Sequence, residues 1–362
     1  MLLEHLSLLD VRNYAALEFE PQAGLNVFVG ANAQGKSNLL EAIGMLGTGR
    51  SFRTSRDGEV IRAGADAATI SGRASVRGGT VHLACGIVRL GSGARKRYTV
   101  NGTPVRYAGY LGRARVVTFV PADLELVAGP PARRRALLNA ALSQERPAYY
   151  AALARYGSYL EQKGALLRST ELDLDLLATY DDGLATVGAA LMTARRDYAR
   201  ALAVAAERAY GALATDGPLE VAYAPNVEFA HDDAREALAA RMVAARSLEL
   251  ARRTPLVGPH RDDLAVRLAG KSLVAFGSQG QQRTAVLALK IGEYGVSTER
   301  GGEPPLLLLD DVLSELDRLR QDAFLHAIGG VEQAFVTATA EAERFPGAAT
   351  YRIERATLER VA

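Results

Sequence analysis

Residues 30–37 read Gly-Ala-Asn-Ala-Gln-Gly-Lys-Ser, a complete G-x-x-x-x-G-K-S phosphate loop. Its chemistry is the grip of a nucleoside triphosphate. Gly30 and Gly35 permit the tight turns that aim the backbone N–H groups of Ala31, Asn32, Ala33 and Gln34 at phosphate oxygens. Lys36 is expected to reach the β- and γ-phosphates, and the Ser37 hydroxyl to ligate Mg2+. The alternative is a chance glycine-rich turn. Residues 25–29 (LNVFV) before the loop read as a buried strand, and 38–43 (NLLEAI) after it read as a helix. That order puts the positive end of a helix dipole on the same anion.

Residues 304–311 (PPLLLLDD) form a short aliphatic run ending in two acids. Continuous aliphatics suit a buried parallel strand. At its tip Asp310 is expected to hold Mg2+. Asp311 is then placed to orient or deprotonate an attacking water. Taken alone, the same pattern is a hydrophobic strand with a solvated turn. Beside a phosphate loop, it completes an ATP site.

A second anion site lies in 276–283 (FGSQGQQR), which opens a helical run over 284–294. Ser278 and the N–H groups around Gly280 and Gln281 sit at a helix N-terminus. The segment resembles the signature of ABC-type ATPases, with Gln279 in place of the usual first glycine. The plainer reading is a polar helix cap. Two phosphate sites in one chain point to a signature that serves the nucleotide of another copy. Ser314, Glu315, Leu316 and Asp317 follow the acid strand at the spacing of a D-loop.

The elements that must bring these groups together are far apart in the chain. Lys36 and Asp310 are 274 positions apart. An ATPase lobe over 1–125 and 285–362 is therefore expected to be interrupted by a mostly helical lobe over 126–284 that ends near the signature. Residues 2–9 and 17–29 read as strands about a turn at Arg12–Tyr14. Residues 58–106 alternate as an antiparallel sheet, with Asn101–Gly102 a hairpin turn. A buried strand is expected at 116–120, and two or three long helices over 132–211 with a break near 171–182. A small strand group is expected at 219–227, 264–268 and 272–276, with a helix at 232–247. The chain then returns through the acid strand, a helix near 317–328 and strands at 333–339 and 350–354. The fold class is α/β, a two-lobed ATPase head.

The chain has 362 residues, 48% of them hydrophobic, 23% charged, and a net charge of +2. This is ordinary globular composition. No apolar run approaches the roughly 20 residues of a membrane span, so no membrane association is expected, and the first residues do not read as a signal peptide. The single cysteine, Cys85, reads as a core residue in a reducing, cytoplasmic compartment. Only five of the 43 cations are lysine. Arginine clusters at 95–97, 133–135, 195–196 and 252–253 suit phosphate, although short basic runs are commonly solvated faces. The five histidines show no metal spacing.

Several segments together resemble the RecF family of SMC-like ABC ATPases, bacterial DNA repair proteins. They are 8–14 (LLDVRNY), 30–43, 49–54 (GRSFRT), 120–135 (VPADLELVAGPPARRR), 258–264 (GPHRDDL), the signature and 308–317. The resemblance runs nearly end to end. It implies an ATP-dependent homodimer, slow DNA-dependent ATP hydrolysis, and binding to double-stranded and gapped DNA at single-strand/double-strand junctions. It also implies partnership with RecR, and with RecO, in loading RecA. Asn32 and Asn38 belong to the family's extended loop pattern, Asn32 beside the γ-phosphate. Glu41 is expected to cap or pair on its helix. Arg12 and Arg53 are expected near phosphate, and His260 beside the signature or the lobe interface.

Three positions depart from the wider ABC pattern. Asp311 stands where a catalytic glutamate is usual. Thr337 or Thr339 stands where other members place a γ-phosphate-sensing histidine. Asp123 and Glu125 occupy the region of the usual Q-loop glutamine. A transporter ATPase subunit is the alternative from another class, and these departures argue against it. A metabolic phosphate-loop kinase is the third, and it needs neither signature nor D-loop.

Overall fold

The structure is a computed structural model that describes residues 1–91, 93–230, 233–312, 316, 318–328, 330–338, 345 and 347–362. The chain opens with strands β1 (Leu2–Val11), β2 (Tyr14–Phe19) and β3 (Gly24–Val29), then helix α1 (Lys36–Thr48). Strands β4 (Ala67–Val76), β5 (Gly79–Leu90), β6 (Gly93–Val100) and β7 (Thr103–Val105) follow, then the single turn α2 (Tyr107–Tyr110) and strand β8 (Val116–Phe119). Next come helices α3 (Pro131–Glu145), α4 (Pro147–Arg168) and α5 (Leu174–Leu213), strand β9 (Leu219–Ala224) and helix α6 (Ala234–Arg252). Strands β10 (Asp263–Leu268) and β11 (Lys271–Ser272) lead through α7 (Leu273–Phe276) to α8 (Gln279–Gly301). The chain ends with β12 (Leu306–Leu309), α9 (Arg318–Ile328), β13 (Gln333–Ala338), β14 (Ala349–Glu354) and β15 (Thr357–Arg360).

The described residues form three sheets. The central one has the order β15-β14-β3-β13-β12-β8, parallel except for the β14–β15 hairpin. Its strands alternate between two cores, as the period of two requires. Val27, Val117, Leu307, Leu309 and Val336 face one cluster with the helical segment. Phe28, Val116, Leu306, Leu308 and Phe335 face the other, with α1 and the antiparallel sheet β2-β1-β4-β5-β6-β7. The third sheet, β11-β10-β9, packs with the helices. Asn101 and Gly102 turn the β6–β7 hairpin, both at positive φ.

The helical segment differs in detail from the sequence reading. The break between α4 and α5 falls before residue 174, so 174–182 are helical. Asp173 caps α5 by accepting from the N–H groups of Asp175 and Leu176. Residues 272–276 do not form one strand. Only Lys271–Ser272 pair with β10, and Leu273–Phe276 turn as α7. That four-residue apolar run is too short for periodicity to separate strand from helix. Strand β15 was not foreseen. Cys85 is buried in the second core, and burial pushes its thiol up to about 12, so it packs as an inert apolar group.

A buried ionic network fixes the helical segment. Arg195 on α5 donates to Asp262 Oδ2 at 3.0 Å, to the carbonyl of Pro259 at 2.6 Å, and to Asn139 Oδ1 and the Tyr149 hydroxyl. Asp262 also accepts from the Tyr223 hydroxyl and the Asn226 N–H. Arg195 and Asp262 are both buried. Removing one member of such a pair strands the other's charge, which costs about 3–5 kcal/mol. Arg195→Ala is therefore expected to lower the unfolding free energy by about that amount in urea melts. A loss below about 1 kcal/mol, typical of an exposed pair, would show the network to be dispensable.

Candidate nucleotide-binding site

The central sheet brings the distant motifs together. Strand β13 lies between β3, which leads into the phosphate loop, and β12, which ends at Asp310. Ser37 Oγ consequently donates to Asp310 Oδ1 at 2.7 Å. The loop backbone is held in an open cradle. Gly30, Ala33 and Gly35 have φ of 152°, 64° and 121°. A Cβ on Gly30 would lie 2.4 Å from the carbonyl oxygen of Ile353, and one on Gly35 2.8 Å from the Asn13 amide. Glycine is required at both positions. Helix α1 starts at Lys36 with Gly35 as a cap that offers no side-chain acceptor and with no acid in its first turn. Its first N–H groups are thus available to an anion.

Lys36 Nζ donates to the carbonyls of Gly30 at 2.6 Å and Ala31 at 2.9 Å, curling back over the loop. Lys36 is buried, and desolvation lowers its pKa against the raising influence of Asp311 and Asp310. A desolvated ammonium held by neutral carbonyls gains most from an arriving phosphate. Ala31, Asn32 and Ala33 form the exposed crest of the loop.

Two flanking turns brace this cradle. The β1–β2 turn supplies Asn13, whose amide donates to the Gln34 carbonyl at 3.1 Å, and Tyr14, whose hydroxyl donates to the Gly35 carbonyl at 3.1 Å. The β14–β15 turn supplies the N–H groups of Arg355 and Ala356, which donate to Gln34. Glu41 is the anchor of the adjacent surface. It is 1% exposed and takes a two-pronged pair from Arg12 at 2.7 and 2.8 Å, a bond from the Ser51 hydroxyl and a pair with Arg53 at 3.4 Å. Arg53 also donates to the Asn38 side chain, and Asn38 donates to Asn13 at 2.7 Å. Glu41 therefore pairs with two other segments, the Arg12 turn and residues 51–53, rather than along its own helix. The Arg12 turn and the GRSFRT segment gave no local sign that one buried carboxylate gathers them.

At the acid strand, Asp310 is buried and also accepts from Thr337 Oγ1 at 3.0 Å. The same hydroxyl accepts from the Asp311 N–H at 2.8 Å. Asp311 is exposed with φ of 51°, a left-handed conformation that a non-glycine residue adopts at some cost. Thr337 thus orients the acid pair. Asp123 accepts from the N–H of Val120, and Glu125 pairs with Arg133 at 2.6 Å, so both are engaged locally. Thr339 and Ser314, Glu315 and Asp317, expected as a D-loop, lie outside the described residues.

The oxygens of Ser37 and Asp310 suit Mg2+, which takes hard donors and commonly uses one or two carboxylates with substrate phosphates. Among the described residues no three acids, histidines or cysteines converge on one point. A Mg2+ ion fits here as the companion of bound phosphates.

The signature is built as a helix cap. Ser278 Oγ accepts from the Gln281 N–H at 3.2 Å, and Gln281 Oε1 accepts from the Ser278 N–H at 3.0 Å. Gln281 also donates to Asp216 at 3.0 Å. Ser278 and Gln279 are exposed, Gly280 and Gln281 half-buried. Helix α8 packs in the core on the opposite face of the central sheet from α1. The capping and anion-binding readings are compatible, because a capping box leaves further first-turn N–H groups facing outward.

His260, expected beside the signature or the lobe interface, has both its hydrogen-bond partners, Tyr156 and Pro255, inside the helical segment. Its Nδ1 bonds the Tyr156 hydroxyl at 2.8 Å within the buried network, and burial lowers its pKa to about 4. Two arginine clusters are consumed internally. Arg134 forks onto Asp263 at 2.7 and 3.0 Å, Arg135 donates to the Asp262 carbonyl at 2.7 Å, and Arg196 lies over the Phe229 ring. No described helix is long and apolar enough to cross a membrane.

Residues 2–355 match the family model described as the RecF/RecN/SMC N terminal domain. A relative from Symbiobacterium thermophilum, DNA replication and repair protein RecF, is 43% identical over 94% of this chain and 92% of its own length. The protein of the same name from Gloeobacter violaceus is 42% identical with the same coverage. A solved structure of "the recombination mediator protein RecF-ATP in RecFOR pathway" superposes with a TM-score of 0.91 at 32% identity, covering 99% of this chain and 97% of that one. A Smc head with coiled coil and joint from Pyrococcus yayanosii has a TM-score of 0.59 at 14% identity, over 99% and 96%, and speaks for the fold alone.

Proposed function

Because the chain belongs to the RecF/RecN/SMC N-terminal-domain family, we propose that it is an ATP-gated DNA-binding protein of recombinational repair. The observation that carries this reading is the Ser37–Asp310 contact, which joins two residues 273 positions apart into one phosphate site, while the exposed signature segment opens a separate helix. The relatives' repair names and the recombination-mediator name of the superposed structure favour it over a transporter subunit or a metabolic kinase.

In this reading Gly30 to Asn38 wrap the triphosphate, with Lys36 on the β- and γ-phosphates. Ser37 and Asp310 hold Mg2+, which screens the phosphate charge when bound. Ser278, Gly280 and Gln281 close on the ATP of a second copy. The ATPase lobe is 1–125 with 285–362, and 126–284 is the lobe that carries the signature toward the partner. ATP closes a homodimer on double-stranded or gapped DNA at single-strand/double-strand junctions, hydrolysis reopens it, and RecR with RecO uses the clamp in loading RecA in the cytoplasm.

Asp311 takes the proton of the attacking water or orients that water. Its carboxylate is a methylene shorter than glutamate's, so turnover is expected below the common range of roughly 1–1000 s⁻¹. Asp311→Asn keeps Asp310 and Ser37 and loses the base. Hydrolysis should fall by about 100-fold or more, while ATP and Mg2+ leave a persistent dimer on gapped DNA in sedimentation runs. A wild-type rate, or a monomer with ATP, would contradict the assignment.

A further inference from the structure

Two adjoining cavities beside the phosphate-loop helix are used by none of the roles above. The outer one, about 720 Å³, opens beside residues 50–55, Lys96 and Tyr98. The inner one, about 570 Å³, runs from the end of α1 toward α3 and α8. Arg50, Phe52, Tyr107 and Tyr150 line both. The Tyr107 hydroxyl donates to the Thr48 carbonyl at 2.8 Å and that of Tyr98 to the Gly49 carbonyl at 3.2 Å, which fixes both rings by their edges. Tyr107 and Tyr150 meet edge to face with centroids 4.9 Å apart.

Arg50 stands at the boundary. Its guanidinium carbon is 4.8 Å from the Tyr107 centroid and 5.8 Å from that of Tyr150. The other cations of the outer cavity are held by carboxylates, Lys96 by Asp57 at 2.7 Å and Arg53 by Glu41. Arg50 is exposed and makes no ion pair among the described residues. A guanidinium that lies against two tyrosine rings and has no carboxylate partner among the described residues can turn to a phosphate joined to a flat aromatic base. Both volumes lie in the ordinary range for small-ligand sites.

We propose that this pair of cavities takes an unstacked nucleobase of the single strand adjoining a duplex, with the base stacked on Tyr150 and edge-on to Tyr107 and its phosphate on Arg50. The proposal rests on the DNA-binding reading above. It gives that reading a means of telling a junction from a plain duplex.

The test uses full-length protein with ATP and Mg2+, a blunt duplex, the same duplex with a single-stranded tail whose first unpaired base is 2-aminopurine, and the free 2-aminopurine deoxynucleotide. Wild type should bind the tailed duplex about tenfold more tightly than the blunt one, the value of one stacked base, with a change in 2-aminopurine emission. Tyr150→Leu and Arg50→Ala should lose that preference and the emission change yet keep blunt-duplex affinity, which also reports that they fold. Tyr150→Phe should restore both. An unchanged tail preference in Tyr150→Leu and Arg50→Ala would overturn the proposal. So would binding of the free nucleotide as tight as that of the tail, which would make the site one for mononucleotides. Absence of any ATP-dependent duplex binding by wild type would instead sink the DNA-binding reading, and this proposal with it.

Discussion

Ser278→Arg is expected to bind ATP as the wild type does and to stay a monomer. Ser278 caps α8 on the opposite side of the central sheet from α1, so the change leaves the Lys36–Ser37 cradle untouched. Losing the cap costs about 1 kcal/mol, too little to unfold a domain of ordinary stability. The side chain is exposed, so arginine meets no clash within its own copy. Across a closed dimer the same arginine would stand where a γ-phosphate meets helix N–H groups, and its bulk would hold the two copies apart. A lost interface hot spot costs upward of about 2 kcal/mol, so the dimer should weaken at least about thirtyfold. Equilibrium dialysis reads nucleotide binding and sedimentation velocity reads the dimer. If Ser278→Arg dimerises with ATP at wild-type concentrations, the signature has been misassigned.

Lys36→Ala should abolish ATP binding at micromolar nucleotide. Lys36 is the only lysine in the loop, and its ammonium already lies over the cradle, bonded to two loop carbonyls. Truncating one partner of a desolvated charge pair costs about 2–5 kcal/mol, a loss of roughly thirtyfold to several thousandfold in affinity. The fold should persist, because the two bonds lost are local and α1 keeps its apolar face in the core. Dimerisation should disappear with ATP, although Lys36 is not at the signature. Near wild-type ATP affinity in a folded Lys36→Ala protein would show that the triphosphate does not rest on this loop.

The candidate nucleotide site was legible because each of its motifs is local in sequence and demanding in type. The glycines at 30 and 35 answer to positive φ and close backbone approach, and Asp310 sits at the end of four aliphatics. That the two meet was an expectation from chemistry, and the β3-β13-β12 order delivers it. What was illegible is what burial decides at long range. Nothing near Glu41 says that Arg12, Ser51 and Arg53 will converge on it. Nothing in 133–135 or 195–196 distinguishes a basic surface from arginines that pair inward with Asp263 and Asp262. Thr337 read as a possible substitute for a sensing histidine. It is a hydroxyl that ties the two acids together, a role visible only once β12 and β13 are neighbours.

With the Arg134 and Arg195 guanidinium groups turned inward, a single copy offers fewer phosphate contacts than its composition suggests. Two copies closed on ATP would double them on one side of the assembly. Affinity from phosphate contacts rises with their number and falls steeply with salt. The most direct test of ATP gating is therefore a salt titration of duplex affinity for wild type and Lys36→Ala, each with and without ATP. Wild type with ATP should bind tightly with a steep salt slope, and the other three conditions should bind weakly with shallow ones. Equal affinities and slopes in all four would mean that ATP does not gate this protein on DNA.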